Sequence, residues 1–143
     1  MEPVLVSACL LGVNCKYSGG NNLCPAVLAL KEKYQLIPVC PEQMGGLATP
    51  RAPSECTEQG VVNNQGQDVT AQFEKGAQEA LKIGALFGCK AAILKANSPS
   101  CGHGTIYDGT FTGTKIPGSG LTARLLSEAG YTLYSEVNLP DFS

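Results

Sequence analysis

The chain has 143 residues, a net charge of −2 and a sequence pI near 5.3. This length fits a single folded domain spanning residues 1–143, and a charged fraction of only 15% excludes a disordered chain. The sequence shows no Lys/Arg run, no leader pattern and no apolar stretch of membrane length, so we expect a cytoplasmic protein with neither nucleic acid nor membrane as a partner.

Short apolar runs predict buried parallel strands, because strands covered by helices on both faces are apolar throughout. They lie at residues 4–6, 36–39, 91–94 and 131–134. Pro38 favours an edge position for the second strand, since proline has no N–H to donate to a neighbour.

Helical patterns separate these strands. They lie at residues 25–33, 70–87 and 121–129. We expect Thr70 to cap the second helix and Gly88 to end it in a left-handed conformation. Alternation of strand and helix predicts an α/β fold, a small Rossmann-like parallel sheet of about four strands flanked by helices.

Three long loops follow the carboxyl ends of the predicted strands, at residues 7–24, 40–68 and 96–120. Sites in open parallel sheets form outside these ends, and long loops in a compact domain are usually functional. Cys9, Cys40 and Cys101 each lie just beyond such an end. Strand order alone therefore predicts that the three thiols converge at one edge of the sheet.

The remaining cysteines fit this edge less well. Cys15 shares the first loop and is a reserve ligand, whereas Cys89 precedes the third strand and should lie at the opposite edge. The seven cysteines contain no C-x-x-C pair. Three converging thiolates favour zinc, copper(I) or an iron–sulfur cluster, and three ligands leave one position open. Buried free thiols are the structural alternative.

Polar residues in the same loops extend the candidate site. Glu42, two residues beyond Cys40, has the chemistry of a general acid or base, or is a solvated carboxylate. Hydroxyls beside Cys101 and further polar groups either line a pocket or form ordinary turns. These candidates are Ser98, Ser100, Lys95, Arg51, Asp108, Gly109 and Thr110.

Several ordered segments resemble the bacterial thiouracil desulfurase (desulfidase) family. They are residues 7–17, 38–46, 49–51, 94–102 and 106–111. The resemblance spans nearly the whole chain. It implies an α/β fold, a 4Fe-4S cluster with three cysteine ligands and one open iron, and non-redox removal of sulfur from thiolated uracil to give uracil and sulfide.

Carried onto this chain, the family's cluster ligands fall on Cys9, Cys40 and Cys101. Glu42 and a serine of the Ser98–Ser100 turn match catalytic positions, with Ser98 favoured. The implied mechanism binds the thiocarbonyl sulfur to the open iron while Glu42 activates a water. The basic residue after the second cysteine is often arginine in the family and is Lys16 here, which removes a bidentate contact.

Other functions fit the same thiols without that resemblance. One is a non-catalytic protein that binds zinc or uses reversible thiol chemistry, and another is a metal-free module that binds a nucleobase. The expected partner is a small thiolated pyrimidine. Its physiological identity and the oligomeric state stay open at this level.

Overall fold

Strands and helices alternate along residues 1–140, which the computed structural model describes. The strands are β1 (Glu2–Ser7), β2 (Tyr34–Val39), β3 (Ser54–Thr57), β4 (Gly60–Asn63), β5 (Ala91–Leu94), β6 (Thr105–Tyr107), β7 (Lys115–Pro117) and β8 (Thr132–Ser135). The helices are α1 (Pro25–Leu28), α2 (Pro41–Met44), α3 (Thr70–Phe87) and α4 (Leu121–Glu128), with 3-10 segments at Ala8–Leu11 and Ala29–Glu32.

Four parallel strands form the central sheet in the order β2-β1-β5-β8. The register of β1 on β2 runs from Glu2 opposite Tyr34 to Ser7 opposite Val39. Both strands therefore end level with each other, and the loops that follow them start side by side. The sheet confirms the predicted α/β fold, and β2 with Pro38 lies at the edge of the sheet, as expected.

Alternating residues of β1 supply the core on both faces of the sheet. Leu5 packs with residues of α3 and α4, including Ala80 and Leu126, and all three are fully buried. Val6 points to the other face and packs with Val27 of α1. This period of two is what a strand covered by helices on both sides requires.

The long loops contain more regular structure than the sequence predicted. Residues 40–68 include α2 and the β3–β4 hairpin, and residues 96–120 include the β6–β7 hairpin.

The prediction that Thr70 caps α3 was wrong in detail, because Val69 occupies the cap position. Thr70 Oγ1 instead accepts from the backbone N–H of Val61, which joins β4 to the start of α3. Gly88 ends α3 in the left-handed conformation, as predicted.

The first helix is shorter than predicted and continues as the 3-10 segment Ala29–Glu32. Within residues 1–140, no helix combines the length and the apolarity that crossing a lipid bilayer requires.

Two glycines let α2 pack directly on α3. A Cβ at Gly45 would collide with the carbonyl of Gln72, and a Cβ at Gly76 would collide with the carbonyl of Pro41. The backbones thus touch without intervening side chains. Because Pro41 lies between Cys40 and Glu42, this contact fixes the position of both chemical groups.

Gly76→Ala tests this backbone contact. In an exposed helix interior the change would stabilise the fold by about 1 kcal/mol, but here we expect the collision with Pro41 to destabilise it by about 1–3 kcal/mol. Urea unfolding measures the difference. Lys75→Ala, at an exposed neighbouring position, should change the free energy of unfolding by less than about 0.5 kcal/mol. A more stable Gly76→Ala protein would contradict the tight packing.

Candidate metal centre and active site

A cavity of about 430 Å³ lies beyond the carboxyl ends of β1, β2 and β5. Four cysteines from the loops after these strands line it, together with polar side chains from the same loops. The sequence-predicted residues that line it are Cys9, Cys15, Cys40, Glu42, Arg51, Lys95, Ser98 and Cys101. Lys16 lines it as well.

Each thiol is placed by a short local structure. Cys9 lies in the 3-10 turn Ala8–Leu11 directly after β1, and Cys40 occupies the N-cap position of α2 directly after β2. Cys101 follows β5 in a turn in which its backbone N–H donates to Ser98 Oγ at 3.0 Å. Cys89 precedes β5 and packs in the apolar core.

Cys15 joins the thiols of Cys9 and Cys40. Its buried side chain hydrogen-bonds to both, and these bonds raise its own pKa, so Cys15 keeps its proton. The same bonds lower the pKa of Cys40 to about 6 and that of Cys9 to about 7 against the opposing effect of burial. Hydrogen bonding within this group of three thiols therefore favours the thiolate form of Cys40 and of Cys9, which is the form that binds metal.

Cys101 is also buried. Burial raises the pKa of the Cys101 thiol to about 12, partly offset by a hydrogen bond with Ser7. Ser7 is buried at the end of β1, where its Oγ also accepts from the backbone N–H of Lys95 at 2.9 Å. Deprotonation of this thiol thus requires a strong compensating charge, such as a metal centre supplies.

Arg51 organises the polar side of the cavity. Its side chain is only 7% exposed, and its Nε contacts Glu42 Oε1 at 3.2 Å. One terminal nitrogen donates to the carbonyl of Cys15 at 2.8 Å, and the other to the carbonyl of Ala48 and to Thr49 Oγ1. The observed bonds tie Arg51 to two site loops, and its predicted role in substrate binding stays a prediction.

Glu42 is mostly buried beside this guanidinium. Burial raises the pKa of the Glu42 carboxyl above its ordinary value, and the charge and hydrogen bond of Arg51 oppose that rise. A carboxyl with a raised pKa in a cavity is suited to take up and return a proton.

The structure distinguishes the two candidate serines. Ser98 lines the cavity, and its Oγ accepts from the backbone N–H groups of Ser100 and Cys101. Ser100 is buried below the turn, where its Oγ lies 2.7 Å from Thr122 Oγ1. Its carbonyl accepts from the first turn of α4, so Ser100 attaches the Cys101 turn to that helix.

Lys95 directly follows β5 and contacts an acidic partner that the sequence did not indicate. Its Nζ lies 2.9 Å from Glu136 Oε2, and Glu136 Oε1 accepts from the backbone N–H of Ala96. Glu136 follows β8, the neighbour of β5 in the sheet. Only the strand order brings it here, so no local sequence signal marks it.

Residues 108–110 form a turn, which is one of the two alternatives that the sequence left open. Asp108 Oδ1 accepts from the backbone N–H and the hydroxyl of Thr110, and the Gly109 N–H donates to Glu55. These three residues hold the turn together. The flanking aromatic residues, Tyr107 and Phe111, line the cavity instead.

The donor set fits an iron–sulfur cluster. Thiolates are the preferred ligands of such clusters, and Lys95 and Arg51 place positive charge near them. In the described part of the chain, no three His, Cys, Asp or Glu side chains are close enough together to hold a single metal ion. A cluster of several irons spreads its ligands farther apart than one ion does.

Comparison with known proteins agrees with this chemistry. Residues 4–138 match the model of the 2-thiouracil desulfurase family. The chain belongs to this family. The match confirms the resemblance that the ordered sequence segments indicated, and it covers every cavity-lining residue named above.

Two relatives of this 2-thiouracil desulfurase family member span almost the full chain. A Bacillus subtilis (strain 168) protein, uncharacterized protein YbbK, is 43% identical over 148 residues, covering 96% of this chain and 98% of YbbK. A solved structure named 4Fe-4S-dependent thiouracil desulfidase TudS is 42% identical, with a TM-score of 0.91. That similarity covers 98% of this chain and 94% of TudS.

Cys15→Ala tests the thiol network in the cluster-free protein. Without the Cys15 donor, we expect the pKa of Cys40 and of Cys9 to rise from about 6 and about 7 toward the ordinary 9.0. Because the thiolate is the reactive form, alkylation of both residues at pH 7 should slow by about tenfold or more. Peptide mass spectrometry across a pH series measures the midpoint. Cys89→Ala should leave both midpoints unchanged, and an unchanged midpoint in Cys15→Ala would refute the network.

Proposed function

We propose that this protein is an iron–sulfur-dependent desulfidase that hydrolyses the thiocarbonyl of a thiolated uracil or related thiopyrimidine. The observation that carries the proposal is the convergence of three strand-end cysteines with a buried Glu42 in one cavity. Membership in the 2-thiouracil desulfurase family and the similarity to TudS support it. The net reaction adds water across C=S and yields a carbonyl and hydrogen sulfide, with no change in electron count.

Cys9, Cys40 and Cys101 would hold the cluster, one from each loop at the sheet edge. When bound, a 4Fe-4S cluster with three protein ligands supplies one iron with a free position, a Lewis acid with affinity for soft sulfur. Cys15 would remain protonated and donate its single S–H to the sulfur atom of Cys9 or of Cys40, which its interactions with both thiols support. Hydrogen bonds to ligand sulfurs are a known means of tuning such centres.

Glu42 would act on the attacking water. Its carboxylate takes a proton from the water as the oxygen approaches the thiocarbonyl carbon, and later returns that proton to the departing sulfur. Arg51 holds one oxygen of Glu42 at 3.2 Å, which leaves the other oxygen for the water. The raised pKa of Glu42 supports both halves of this cycle.

Ser98 and Lys95 would complete the polar lining. The Ser98 hydroxyl already accepts two backbone N–H groups, so its own proton is available to orient the water or substrate. Lys95 places positive charge near the thiolates, and Glu136 holds it there. Positive charge at this position offsets the repulsion among the ligand thiolates.

Single replacements of the cysteines test the ligand assignment. After anaerobic reconstitution with iron and sulfide, Cys9→Ala, Cys40→Ala and Cys101→Ala should each lose most of the bound iron and the visible absorption band. Cys89→Ala and Cys56→Ala should retain them. Metal and acid-labile sulfide analysis provides the readout. Full iron content in Cys101→Ala together with loss in Cys15→Ala would transfer the third ligand to Cys15, and zinc without sulfide in the native protein would favour the zinc alternative.

Glu42→Gln tests the proton-transfer step. The variant keeps the size of the side chain and should keep the cluster, but sulfide release from 2-thiouracil should fall by about 10²–10⁴-fold. Glu32→Gln, at an exposed position, is the matched control and should turn over at the native rate. A cluster-loaded Glu42→Gln protein with native turnover would remove Glu42 from the mechanism.

A further inference from the structure

Phe111 adopts a backbone conformation that is unusual for its residue type. Its φ is +59°, and among residues 1–140 the only other non-glycine residue with positive φ is Asn97. Both residues line the cavity. Asparagine tolerates the left-handed region, but phenylalanine rarely adopts it unless its surroundings impose it.

Glu55 on β3 imposes this conformation. One oxygen, Oε1, accepts from the backbone N–H of Gly109 at 3.0 Å and from that of Phe111 at 3.2 Å. The carboxylate is only 9% exposed, and it lies at the cavity wall. Two bonds to one buried oxygen set the direction in which the chain leaves the turn.

Packing of the turn on β3 adds to this restraint. A Cβ at Gly109 would lie 2.7 Å from the carbonyl oxygen of Cys56, so the turn backbone rests directly on the strand. The Asp108 N–H donates to the Thr114 carbonyl at 2.9 Å and closes the loop on its other side. Phe111 is therefore held at the cavity by its backbone, while its side chain remains 36% exposed.

Two further aromatic side chains line the same cavity as Phe111. Tyr17 lies in the loop after β1, and Tyr107 ends β6. An exposed ring with a fixed backbone provides a stacking surface for a flat heteroaromatic ring. Such stacking uses the π face that every base-like ring has, and it weakens when the bound ring is not planar.

From these contacts we infer that Phe111 is a specificity-determining residue that stacks on the pyrimidine ring of the substrate, and that Glu55 is a positioning residue that acts through Phe111. The inference rests on the proposed function, because it names the part of the same site that recognises the ring. It assigns the cavity to planar thiopyrimidines in preference to thioamides with a saturated ring.

Binding of two uracil-like probes tests the role of Phe111. Uracil and 5,6-dihydrouracil present the same N–H and C=O groups, but the second ring is puckered and has no continuous π face. Titration calorimetry on the anaerobic cluster-loaded protein should give about tenfold tighter binding of uracil. Phe111→Ala should reduce this ratio to near one, and Phe111→Tyr should retain it. Phe87→Ala, another exposed phenylalanine outside the cavity, should leave the ratio unchanged.

A double-mutant cycle tests the role of Glu55. Glu55→Ala should reduce the uracil preference nearly as far as Phe111→Ala, whereas Glu55→Gln keeps the accepting oxygen and should preserve it. In the Phe111→Ala background, Glu55→Ala should leave the affinity for uracil unchanged. Glu58→Ala, on the neighbouring hairpin turn, is the control. If Glu55→Ala does not fold, Glu55→Gln together with the Phe111 variants still decides the inference.

Three outcomes would overturn the inference. The first is an unchanged uracil preference in Phe111→Ala, and the second is no preference in the native protein. The third is a further loss of uracil affinity from Glu55→Ala in the Phe111→Ala background. Sulfide release from 2-thiouracil by the native protein is measured separately. Release with an unaltered preference in Phe111→Ala refutes the inference alone, whereas the predicted binding pattern without any release refutes the proposed function alone.

Discussion

The parallel register of β1 with its two neighbours is the constraint on which the site depends. In a parallel sheet the carboxyl ends of adjacent strands face the same direction, so the loops after β1, β2 and β5 have to meet. Cys9 and Cys40 follow β1 and β2 immediately, and Cys101 follows β5 after one turn. Thiols that are 31 and 61 residues apart in sequence thereby reach one cavity without any local sequence pattern linking them.

Hydrogen bonds and an ion pair then fix the relative positions of the loops that the sheet brings together. Arg51 connects the Cys15 loop to the Glu42 loop through a guanidinium that is almost fully buried. With this many protein partners, the planar guanidinium of Arg51 holds the two loops together. The Cys15 carbonyl accepts one of its hydrogen bonds, and the Cys15 side chain interacts with the thiols of Cys9 and Cys40. The charge state of Cys9 and Cys40 and the position of Glu42 therefore depend on one connected set of contacts.

The sequence correctly predicted the elements that are long enough for their hydrophobic period to repeat. The bounds of α3 match residues 70–87, because five turns of helix display the apolar period and Gly88 ends it. Helix α2 and the two hairpins were not predicted, because elements of three or four residues are too short to show a hydrophobic period. The three strand-end cysteines were found from strand order. Glu136 and Glu55 were not, because their positions depend on strand pairing and on a turn that packs on a distant strand.

The place of β1 at the centre of the sheet also has a consequence for the order of events in the cell. β1 precedes both of its sheet partners along the chain, yet one of them is residues 91–94, and Lys95 beyond that partner is held by Glu136. Such non-local pairing completes late in folding. The cavity is therefore complete only after the chain as far as Glu136 has folded. A cluster held by Cys9, Cys40 and Cys101 would accordingly be inserted into a folded protein and not into a growing chain.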